Sequence, residues 1–475
     1  MQFVGRQGYL RWLDDEFNRV AGTQSRFLAL RGRRQVGKSR LLTEWLRMRG
    51  HPHLYYQALN KPVDQELASF TAAVARSSLG SLPAVAAGGA RWPSWEAALD
   101  AVASAGAGGP LGDGPAAVVI DELPYLINND GSFEATLQAA WDHKLQSAGI
   151  LLILVGSDLA MMQALTTYGR PLYNRVDTQR VVDPLNPAEV GDLLRVDATE
   201  ALDTYLMTGG FPKVVAARAE HDGRREFLQA ATLDEAHPLV YTGGQMLTAE
   251  FPSEASARSV LEAVGAGERA FGNIQARAGV VSATLSDTLK LLMQKSVVRR
   301  DDPWSARAIG KRSRYVVADP YLRFWLRFLT DRTDDISRGR GDLVAGDILA
   351  SWQDYAGTAV EPIIREAIER ILPDDRFGDA RYVGSYWTRD HQTEVDLVGT
   401  KAAGKNDRIE FAGSVKWRAR RFFGEDDVKE LSDLAPQIPG WETTTRLVGV
   451  SRTGFTKGVH LDVELTPEEL LEAWR

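Results

Sequence analysis

Short apolar runs alternate with helical segments in the first third of the chain. The clearest runs cover residues 27–30, 116–120 and 149–155. Continuous apolar runs of this kind are typical of parallel strands that are buried on both faces. Three such runs, separated by segments with helical spacing, predict an open parallel α/β sheet whose ligand binds at the carboxyl ends of the strands.

From about residue 255 to 320 the pattern changes to short helices followed by two extended segments. A helix is predicted after Ser282, its expected N-cap, with an apolar face of Val281, Leu285, Leu289 and Leu292. SVVRRDD and RSRYVVADP predict a two-stranded wing, and the module is therefore predicted to be a winged helix that binds DNA. Its basic residues suit phosphate contacts: Arg299, Arg300, Arg307, Lys311, Arg312 and Arg314. The alternative is a lid or a protein-contact surface, because the helix has no arginine to read guanine.

Composition limits the classes of protein to consider. The 475 residues suggest about three domains, and the changes of pattern divide them into residues 1–185, 186–250, 251–335 and 336–475. The content of 44% hydrophobic and 25% charged residues is that of a globular chain, with no apolar run near the roughly 20 residues that span a bilayer. The chain has no cysteine and no secretory signal at its start, which predicts a cytoplasmic protein. At a net charge of −7, any DNA contact must come from local basic patches.

The first apolar run leads into the loop GRRQVGKS, and a helical pattern follows at once. This arrangement predicts a phosphate-binding loop, because the glycines let backbone N–H groups surround phosphate oxygens and the helix N-terminus adds positive charge. Lys38 is predicted to reach the β- and γ-phosphates of ATP, and Ser39 to ligate Mg²⁺. The predicted nucleotide-binding residues here are Gly32, Gly37, Lys38, Ser39 and Arg40.

The second and third apolar runs end in polar residues. Asp121 and Glu122 follow the second run, and Ser157 follows the third. A carboxylate at the end of a parallel strand is placed to hold Mg²⁺, and a neighbouring glutamate can orient and deprotonate the attacking water. We therefore predict Asp121 as a Mg²⁺ ligand beside Ser39, Glu122 as the catalytic base and Ser157 as a contact near the γ-phosphate.

Six motifs in this order resemble those of the archaeal-type ATPases, which belong to the STAND branch related to AAA+ proteins. They are FVGRQ, GRRQVGKS, IDELPYL, VGSD, GRPLYNR and TGGFP, and they extend over about the first 240 residues. The resemblance implies a P-loop ATPase with a helical lid. It also implies that Phe3, Val4, Gly5 and Arg6 lie near the adenine of ATP.

The same resemblance implies an arginine that approaches the phosphates. It falls on Arg175 in the stretch PLYNR, where Asn174 replaces the glycine of the family, and Arg170 is a rival. An exposed helix end is the alternative reading of either arginine. Gly209-Gly210-Phe211-Pro212 resembles the lid motif that senses the nucleotide state.

The C-terminal segment resembles a restriction-endonuclease-like α/β domain of the PD-(D/E)xK nuclease class, as in one subgroup of these ATPases. The resemblance implies Glu361 on a helix, Asp396 on a strand and Lys416 on the next strand. Such a site needs carboxylates on Mg²⁺ and a lysine beside them. Ser414 stands where the second carboxylate of that strand is expected, so we predict a weakened metal site. Glu394 shares a face with Asp396 and is its predicted substitute.

Two further features of the last strand bear on binding. Glu410 is on the same face as Ser414 but roughly 13 Å back along an extended chain, too far to share an ion with Asp396 unless Gly413 forms a bulge. Basic residues follow at Lys416, Arg418, Arg420 and Arg421, with Trp417 among them. The cluster suits nucleic acid; alternatively, it protects an edge strand from aggregation.

Three functions fit these patterns. The first is an ATPase whose Mg²⁺-dependent hydrolysis moves a winged-helix and nuclease-like module that binds DNA or a protein partner. The second is a slow ATP switch that mediates oligomerisation or docking of a partner. The third is an ATP-dependent DNA nuclease, which requires a metal at Asp396 despite Ser414. No membrane partner is expected.

Overall fold

The computed structural model describes residues 3–22, 24–79, 92–105, 114–251, 255–304, 313–388, 392–402 and 408–475. The chain divides after Pro184 into two compact units, here called the N-terminal unit (to residue 184) and the C-terminal unit (residues 185–475). The predicted division into four domains stays a prediction. Arg307, Lys311 and Arg312 of the predicted wing lie outside the described residues.

The N-terminal unit contains a five-stranded parallel sheet, as the apolar runs predict. Its strands are β1 (Arg26–Arg31), β2 (His53–Gln57), β3 (Ala116–Asp121), β4 (Ile150–Gly156) and β5 (Thr178–Val181), in the order β2-β3-β4-β1-β5. Strands β3 and β4, which are neighbours in the sheet, are buried at every residue. All strands run in one direction, so the loops that follow β1, β3 and β4 meet at one edge.

Helices cover this sheet, and their apolar faces form its core. They are α1 (Gln7–Asn18), α2 (Lys38–Arg49), α3 (Val63–Arg76), α4 (Trp95–Ser104), α5 (Leu123–Asn129), α6 (Phe133–His143) and α7 (Leu159–Ala164). One contiguous core cluster joins strand residues such as Phe27 and Val118 to Phe70, Trp95 and Phe133 of the helices. This core fixes the strand ends that carry the predicted phosphate site.

The C-terminal unit begins with five helices and continues with three more and a hairpin. The first group is α8 (Pro187–Leu194), α9 (Ala198–Thr208), α10 (Pro212–Arg218), α11 (Gly223–Thr232) and α12 (Pro238–Glu250). The second group is α13 (Ala255–Gly265), α14 (Phe271–Ala278) and α15 (Ser282–Gln294), followed by β6 (Val298–Asp301) and β7 (Arg314–Val317). Strands β6 and β7 pair antiparallel, as the wing prediction requires.

The predicted N-cap of α15 is wrong by one position. The helix begins at Ser282, and the extended residue before it is Val281. Val281 is 67% exposed, because it ends the turn from α14 and precedes the apolar face. Leu285, Leu289 and Leu292 are buried as predicted.

A second sheet closes the C-terminal unit. The helices α16 (Pro320–Phe328), α17 (Thr333–Ser337), α18 (Gly341–Ala359) and α19 (Glu361–Ile371) precede it. The sheet contains β8 (Tyr382–Trp387), β9 (Glu394–Thr400), β10 (Ile409–Lys416), β11 (Arg446–Ser451) and β12 (Val463–Leu465), in the order β12-β11-β10-β9-β8. Its remaining helices are α20 (Glu425–Leu434) and α21 (Pro467–Glu472). Strands β8, β9 and β10 are antiparallel neighbours, whereas β11 and β12 run parallel to β10.

A buried aspartate links the first helices of this unit to the second sheet. Asp203 on α9 is 1% exposed and accepts hydrogen bonds from Trp417 Nε1 at 2.8 Å, Arg452 at 2.9 Å and Arg224 at 3.1 Å. A buried carboxylate is stable only when it is paired in this way. No helix in the described parts of the chain is both long and apolar enough to cross a membrane.

Candidate functional site

The predicted phosphate loop connects the end of β1 to the start of α2. Gly37 has a φ of 93°, a left-handed conformation that favours glycine. A Cβ atom on Gly32 would lie 2.5 Å from the carbonyl oxygen of Val182, so no larger residue fits there without a shift. Both glycines of GRRQVGKS are therefore required by the backbone path, and the loop opens at the carboxyl edge of the sheet.

The Lys38 side chain contacts the backbone of its own loop. Its ammonium group donates to the carbonyl oxygens of Gly32 at 2.7 Å and Arg33 at 2.9 Å, and the residue is 6% exposed. Burial lowers the pKa of Lys38, while the nearby carboxylates of Glu122 and Asp121 oppose that effect. The positive charge thus lies within the loop, where a phosphate chain would replace the two carbonyl contacts.

Ser39 and Asp121 meet as predicted for a Mg²⁺ site. The Ser39 hydroxyl donates to Oδ2 of Asp121 at 2.6 Å, and the other carboxylate oxygen accepts from the backbone N–H of Glu122 at 2.9 Å. Hydroxyl and carboxylate oxygens are the hard ligands that Mg²⁺ prefers, so this pair fits that ion.

Tyr55 also contacts this pair, although the sequence did not predict it. The Tyr55 hydroxyl donates to the same Asp121 oxygen at 2.5 Å. Burial and the Asp121 charge raise the pKa of Tyr55, which keeps the hydroxyl protonated as a donor. Tyr55 lies on β2, and only the pairing of β2 with β3 brings it to Asp121.

Glu122 has an unusual backbone that aims its carboxylate. Its φ of 56° is left-handed, a strained conformation for a residue other than glycine, and such strain is concentrated at functional sites. The Ser157 hydroxyl, at the end of β4, donates to Oε2 of Glu122 at 2.8 Å. Glu122, Ser157, Asp121 and Ser39 therefore form one chain of contacts beside the phosphate loop.

The N-terminal motif packs against the same loop. Arg6 is 4% exposed and donates to the backbone carbonyls of Asp183 at 2.5 Å and Val36 at 2.8 Å. Phe3, Val4 and Gly5 precede it and are half-buried. The contact with Val36 joins this segment to the phosphate loop, which suits the predicted position near the adenine.

Arg40 is the least enclosed of the predicted nucleotide-binding residues. It lies in the first turn of α2, and its guanidinium is 3.9 Å from the Glu44 carboxylate. Its side chain is 60% exposed. A contact between Arg40 and a nucleotide stays a prediction.

The structure does not bring Arg175 to the phosphate loop. Arg175 precedes β5, at the edge where the strands begin, and its guanidinium holds Asp142 of α6 at 2.8–3.1 Å. The loop lies at the opposite edge, where β1 ends. Arg170 is paired with Glu134 of the same helix. The prediction of a γ-phosphate arginine fails for this conformation, because both side chains are held by α6.

The predicted lid motif forms a tight turn in the C-terminal unit. Gly209 and Gly210 have φ values of 55° and 72°. A Cβ on Gly210 would lie 1.8 Å from the Leu185 carbonyl oxygen, and one on Gly209 would lie 2.6 Å from the backbone nitrogen of Tyr321. The two glycines are thus explained by close backbone packing, and the nucleotide-sensing role stays a prediction.

Ser414 lies next to Asp396, at the position where the nuclease resemblance predicts a second carboxylate. The antiparallel pairing of β9 and β10 extends to Gly413 and Leu397, and Ser414 and Asp396 follow directly. Oδ2 of Asp396 accepts from the Ser414 hydroxyl at 3.3 Å and from the Val415 N–H at 2.7 Å. These two strands therefore carry one carboxylate where the predicted nuclease site needs two.

The other predicted nuclease residues are only partly assembled. Glu361 and Glu394 line the same cavity as Asp396, but Arg314 holds the Glu394 carboxylate at 2.5 and 3.2 Å. Lys416 is turned to α20, 2.7 Å from Glu430. Within the described ranges, no group of three or more His, Asp and Glu side chains is arranged to hold a metal ion. The predicted substitution by Glu394 and the predicted place of Lys416 are not realised here.

Glu410 and the basic cluster after β10 are both held by neighbouring groups. Glu410 points to the start of β8 and accepts from the Asp379 N–H at 3.4 Å, so it does not approach Asp396. In the basic cluster, Arg418 pairs with Asp427 at 2.9 Å and Arg421 pairs with Asp426 at 3.2 Å. Acidic residues of α20 thus neutralise part of the surface that was predicted to bind nucleic acid.

The Glu361 carboxyl gives a pH-dependent prediction. Burial, and next the charge of Asp396, raise the pKa of Glu361 from 4.5 to about 7, while Arg365 opposes the shift. The folded state therefore keeps a proton that the unfolded state loses between these values, and the wild type loses stability as the pH rises through this window. Glu361→Gln does not titrate, so we expect it to be more stable than the wild type by roughly 2–3 kcal/mol above pH 7, with little difference near pH 4.5.

Urea unfolding in EDTA at pH 5 and pH 8 would measure this difference. Glu366→Gln is the control, since Glu366 lies on the exposed face of the same helix and pairs with Arg370 at 2.8 Å. A gain for Glu361→Gln that is equal at both pH values would contradict the raised pKa.

Two family models match separate parts of the chain. Residues 3–218 match a family model described as an ATPase domain predominantly from Archaea. Residues 325–430 match a second model, DUF234, described as "Archaea bacterial proteins of unknown function". The first match covers the phosphate loop, Asp121 and Ser157, and it supports ATPase activity.

One relative of similar length has low sequence identity to this chain. The uncharacterized protein MJECL04 of Methanocaldococcus jannaschii is 22% identical over 433 residues, which are 90% of each chain. Among solved structures, the Walker-type ATPase PABY2304 of Pyrococcus abyssi has 17% identity and a TM-score of 0.46, over 68% of this chain and 96% of that one. The ORC2 protein of Aeropyrum pernix, in complexes with ADPNP and ADP, has 14% identity and a TM-score of 0.46, over 74% and 96%.

Proposed function

We propose that this protein binds ATP with Mg²⁺ and hydrolyses it. The observation that carries the proposal is the contact of 2.6 Å between Ser39 and Asp121, beside the ammonium group of Lys38. A nucleoside triphosphate and its metal ion require a hydroxyl, a carboxylate and a lysine, and all three lie at the carboxyl edge of this parallel sheet.

Each residue of this edge has a distinct part in the proposed reaction. Ser39 and Asp121 would hold Mg²⁺, which would supply positive charge against the phosphate oxygens. Lys38 exchanges its carbonyl contacts for phosphate oxygens and stabilises the charge that develops on them. Glu122 orients the attacking water and accepts its proton, and Ser157 fixes the Glu122 carboxylate.

Phosphate release tests the proposal. We expect the purified protein to release inorganic phosphate from ATP in Mg²⁺ and to stop in excess EDTA. Turnover near zero with tight ATP binding would instead favour the slow switch that docks a partner or a second copy of the chain. Absence of both binding and turnover would contradict the proposal.

We propose a second function for the C-terminal unit, which is the binding of nucleic acid by a nuclease-like fold with a weakened metal site. The order of α19, three antiparallel strands, α20 and the parallel β11 supports this fold. The helices α13–α15 with their hairpin support a winged-helix module next to it. ATP hydrolysis would then move or switch this DNA- or partner-binding module.

The variant Asp396→Ala tests whether any DNA cleavage by this protein depends on the predicted metal site. We expect plasmid and single-stranded DNA to stay intact with the wild type in Mg²⁺, because a serine hydroxyl is a weak ligand for a hard cation. If Mn²⁺ elicits cleavage, Asp396→Ala should abolish it, and Asp375→Ala, a turn residue outside the site, should leave it unchanged. Fast cleavage in Mg²⁺ that requires Asp396 would show that Ser414 is no obstacle, and the nuclease would become the first function.

A further inference from the structure

A cavity of about 440 Å³ lies within the C-terminal unit, beside the wing strand β7 and the strands β8 and β9. Its volume is in the range of small-molecule sites, roughly 300–1,000 Å³. Six arginines line it: Arg269, Arg299, Arg314, Arg323, Arg327 and Arg365. So many guanidinium groups around one space repel one another unless negative charge balances them.

Three of these arginines are balanced by carboxylates of the same lining. The pairs are Arg299–Asp301 at 2.8 Å, Arg314–Glu394 at 2.5 Å and Arg365–Glu361 at 3.5 Å. Two carboxylates remain: Asp354 is exposed, and Asp396 already accepts hydrogen bonds from β10.

The other three arginines have no hydrogen-bonded or ion-paired carboxylate among the described residues, although the charge of Arg269 lowers the pKa of Glu361. Arg323 donates only to the backbone carbonyls of Val317, at 2.8 and 3.2 Å, and Ala359, at 3.3 Å. Arg327 donates to the carbonyl of Ala266 at 2.7 Å. The guanidinium of Arg269 makes no hydrogen bond or ion pair with the described part of the chain. Carbonyl contacts satisfy the N–H groups but leave the charge unneutralised.

The charges of this group affect one another. Burial is the main cause that lowers the pKa of Arg323 to about 10; the positive charges of Arg299 and Arg269 act in the same direction, while Tyr355 and Asp301 oppose the shift. Arg269 and Arg299 are therefore close enough to Arg323 to destabilise its charged form. An anion between them would remove that repulsion.

We propose that this cavity binds a phosphate-bearing ligand of nucleotide size, held by Arg269, Arg323 and Arg327. Guanidinium groups match the paired oxygens of a phosphate, which makes arginine the preferred residue for this anion. Two half-buried aromatic rings of the same lining, Tyr315 and Phe328, offer stacking surface for a base. The ligand is either a free nucleotide or the 5′-phosphorylated end of a strand. The site is separate from the phosphate loop and requires no cleavage.

Calorimetry in a Lys38→Ala background tests this site without binding at the phosphate loop. The probes are thymidine 5′-monophosphate, a thymidine dinucleotide with a 5′-phosphate and the same dinucleotide with a 5′-hydroxyl. We expect at least one phosphorylated probe to bind, and the hydroxyl dinucleotide to bind at least about tenfold more weakly than its phosphorylated form. A preference for the mononucleotide indicates a free nucleotide, and a preference for the phosphorylated dinucleotide indicates a strand end.

Adding Arg269→Ala should weaken binding of the phosphorylated probe about tenfold or more, and it breaks no side-chain hydrogen bond or ion pair with the described residues. The matched control is Arg338→Ala, an exposed arginine at the end of α17, which should leave the affinity unchanged. Thermal unfolding of each variant confirms that it is folded. Measurable and equal binding of the phosphorylated and hydroxyl dinucleotides, no effect of Arg269→Ala, or no binding of any probe would overturn the proposal.

Discussion

Replacing Lys38 by alanine is expected to abolish ATP hydrolysis and to weaken ATP binding at least about a hundredfold. Lys38 is the one ammonium group enclosed in the described part of the phosphate loop, where it holds the carbonyls of Gly32 and Arg33. When a nucleoside triphosphate enters the loop, the Lys38 ammonium group pairs with its phosphate oxygens. No other group on the loop can supply positive charge in the same position. Equilibrium binding of a fluorescent ATP analogue and steady-state phosphate release would measure the two effects.

The control for this experiment is a lysine in the same unit with a simple surface role. Lys144 pairs with Asp100 at 2.5 Å and is 52% exposed, so Lys144→Ala should retain both binding and turnover. Unfolding of Lys38→Ala at the wild-type temperature would show that the loop itself is intact. Undiminished hydrolysis in a folded Lys38→Ala protein would contradict the proposed site, whatever the C-terminal unit binds.

The phosphate loop could be predicted because its chemistry is contained in contiguous residues. GRRQVGKS specifies its own backbone path, and the apolar runs before it and before Asp121 specify parallel strands that end at one edge. Local patterns also predicted the hairpin β6–β7 and the strands that carry Asp396 and Ser414. In each case the spacing within one segment determines which side chains face one another.

Contacts between distant segments could not be predicted in the same way. Tyr55 reaches Asp121 only because β2 lies next to β3 in the sheet, and the strand order is not written in either segment. Arg175 was assigned from a motif, but a guanidinium pairs with the nearest carboxylate that packing supplies, and α6 supplies Asp142.

Lys416 illustrates the limit within a single strand. Because side chains alternate along a strand, the Lys416 side chain starts on the same face as Ser414, as the sequence indicates. The lysine side chain is long and flexible, however, and it ends 2.7 Å from Glu430 of α20. The pattern therefore fixes where a long side chain starts, and tertiary packing decides where its charge lies.

Glu122→Gln is expected to reduce the turnover of ATP by about 10²–10⁴-fold while leaving ATP affinity nearly unchanged. Glutamine keeps the shape of the side chain and can still contact the Ser157 hydroxyl, but it cannot accept a proton from the attacking water. The strained backbone of Glu122, with its φ of 56°, holds the carboxylate whether or not it is charged, so the loss should fall on the chemical step alone. Single-turnover phosphate release and equilibrium binding of ATP would separate the two quantities.

Two further variants decide between a catalytic base and a merely structural carboxylate. Ser157→Ala removes the group that fixes the carboxylate without removing the base, so we expect a smaller loss of turnover, about tenfold. Glu96→Gln, an exposed residue in the first turn of α4, should change neither quantity. A loss of ATP affinity in Glu122→Gln that matches its loss of turnover would assign the residue to binding, and unchanged turnover would exclude it as the base. Slow hydrolysis with tight binding in the variant is the result that the contact between Ser157 and Glu122 predicts, because it places the carboxylate beside the phosphate loop rather than within it.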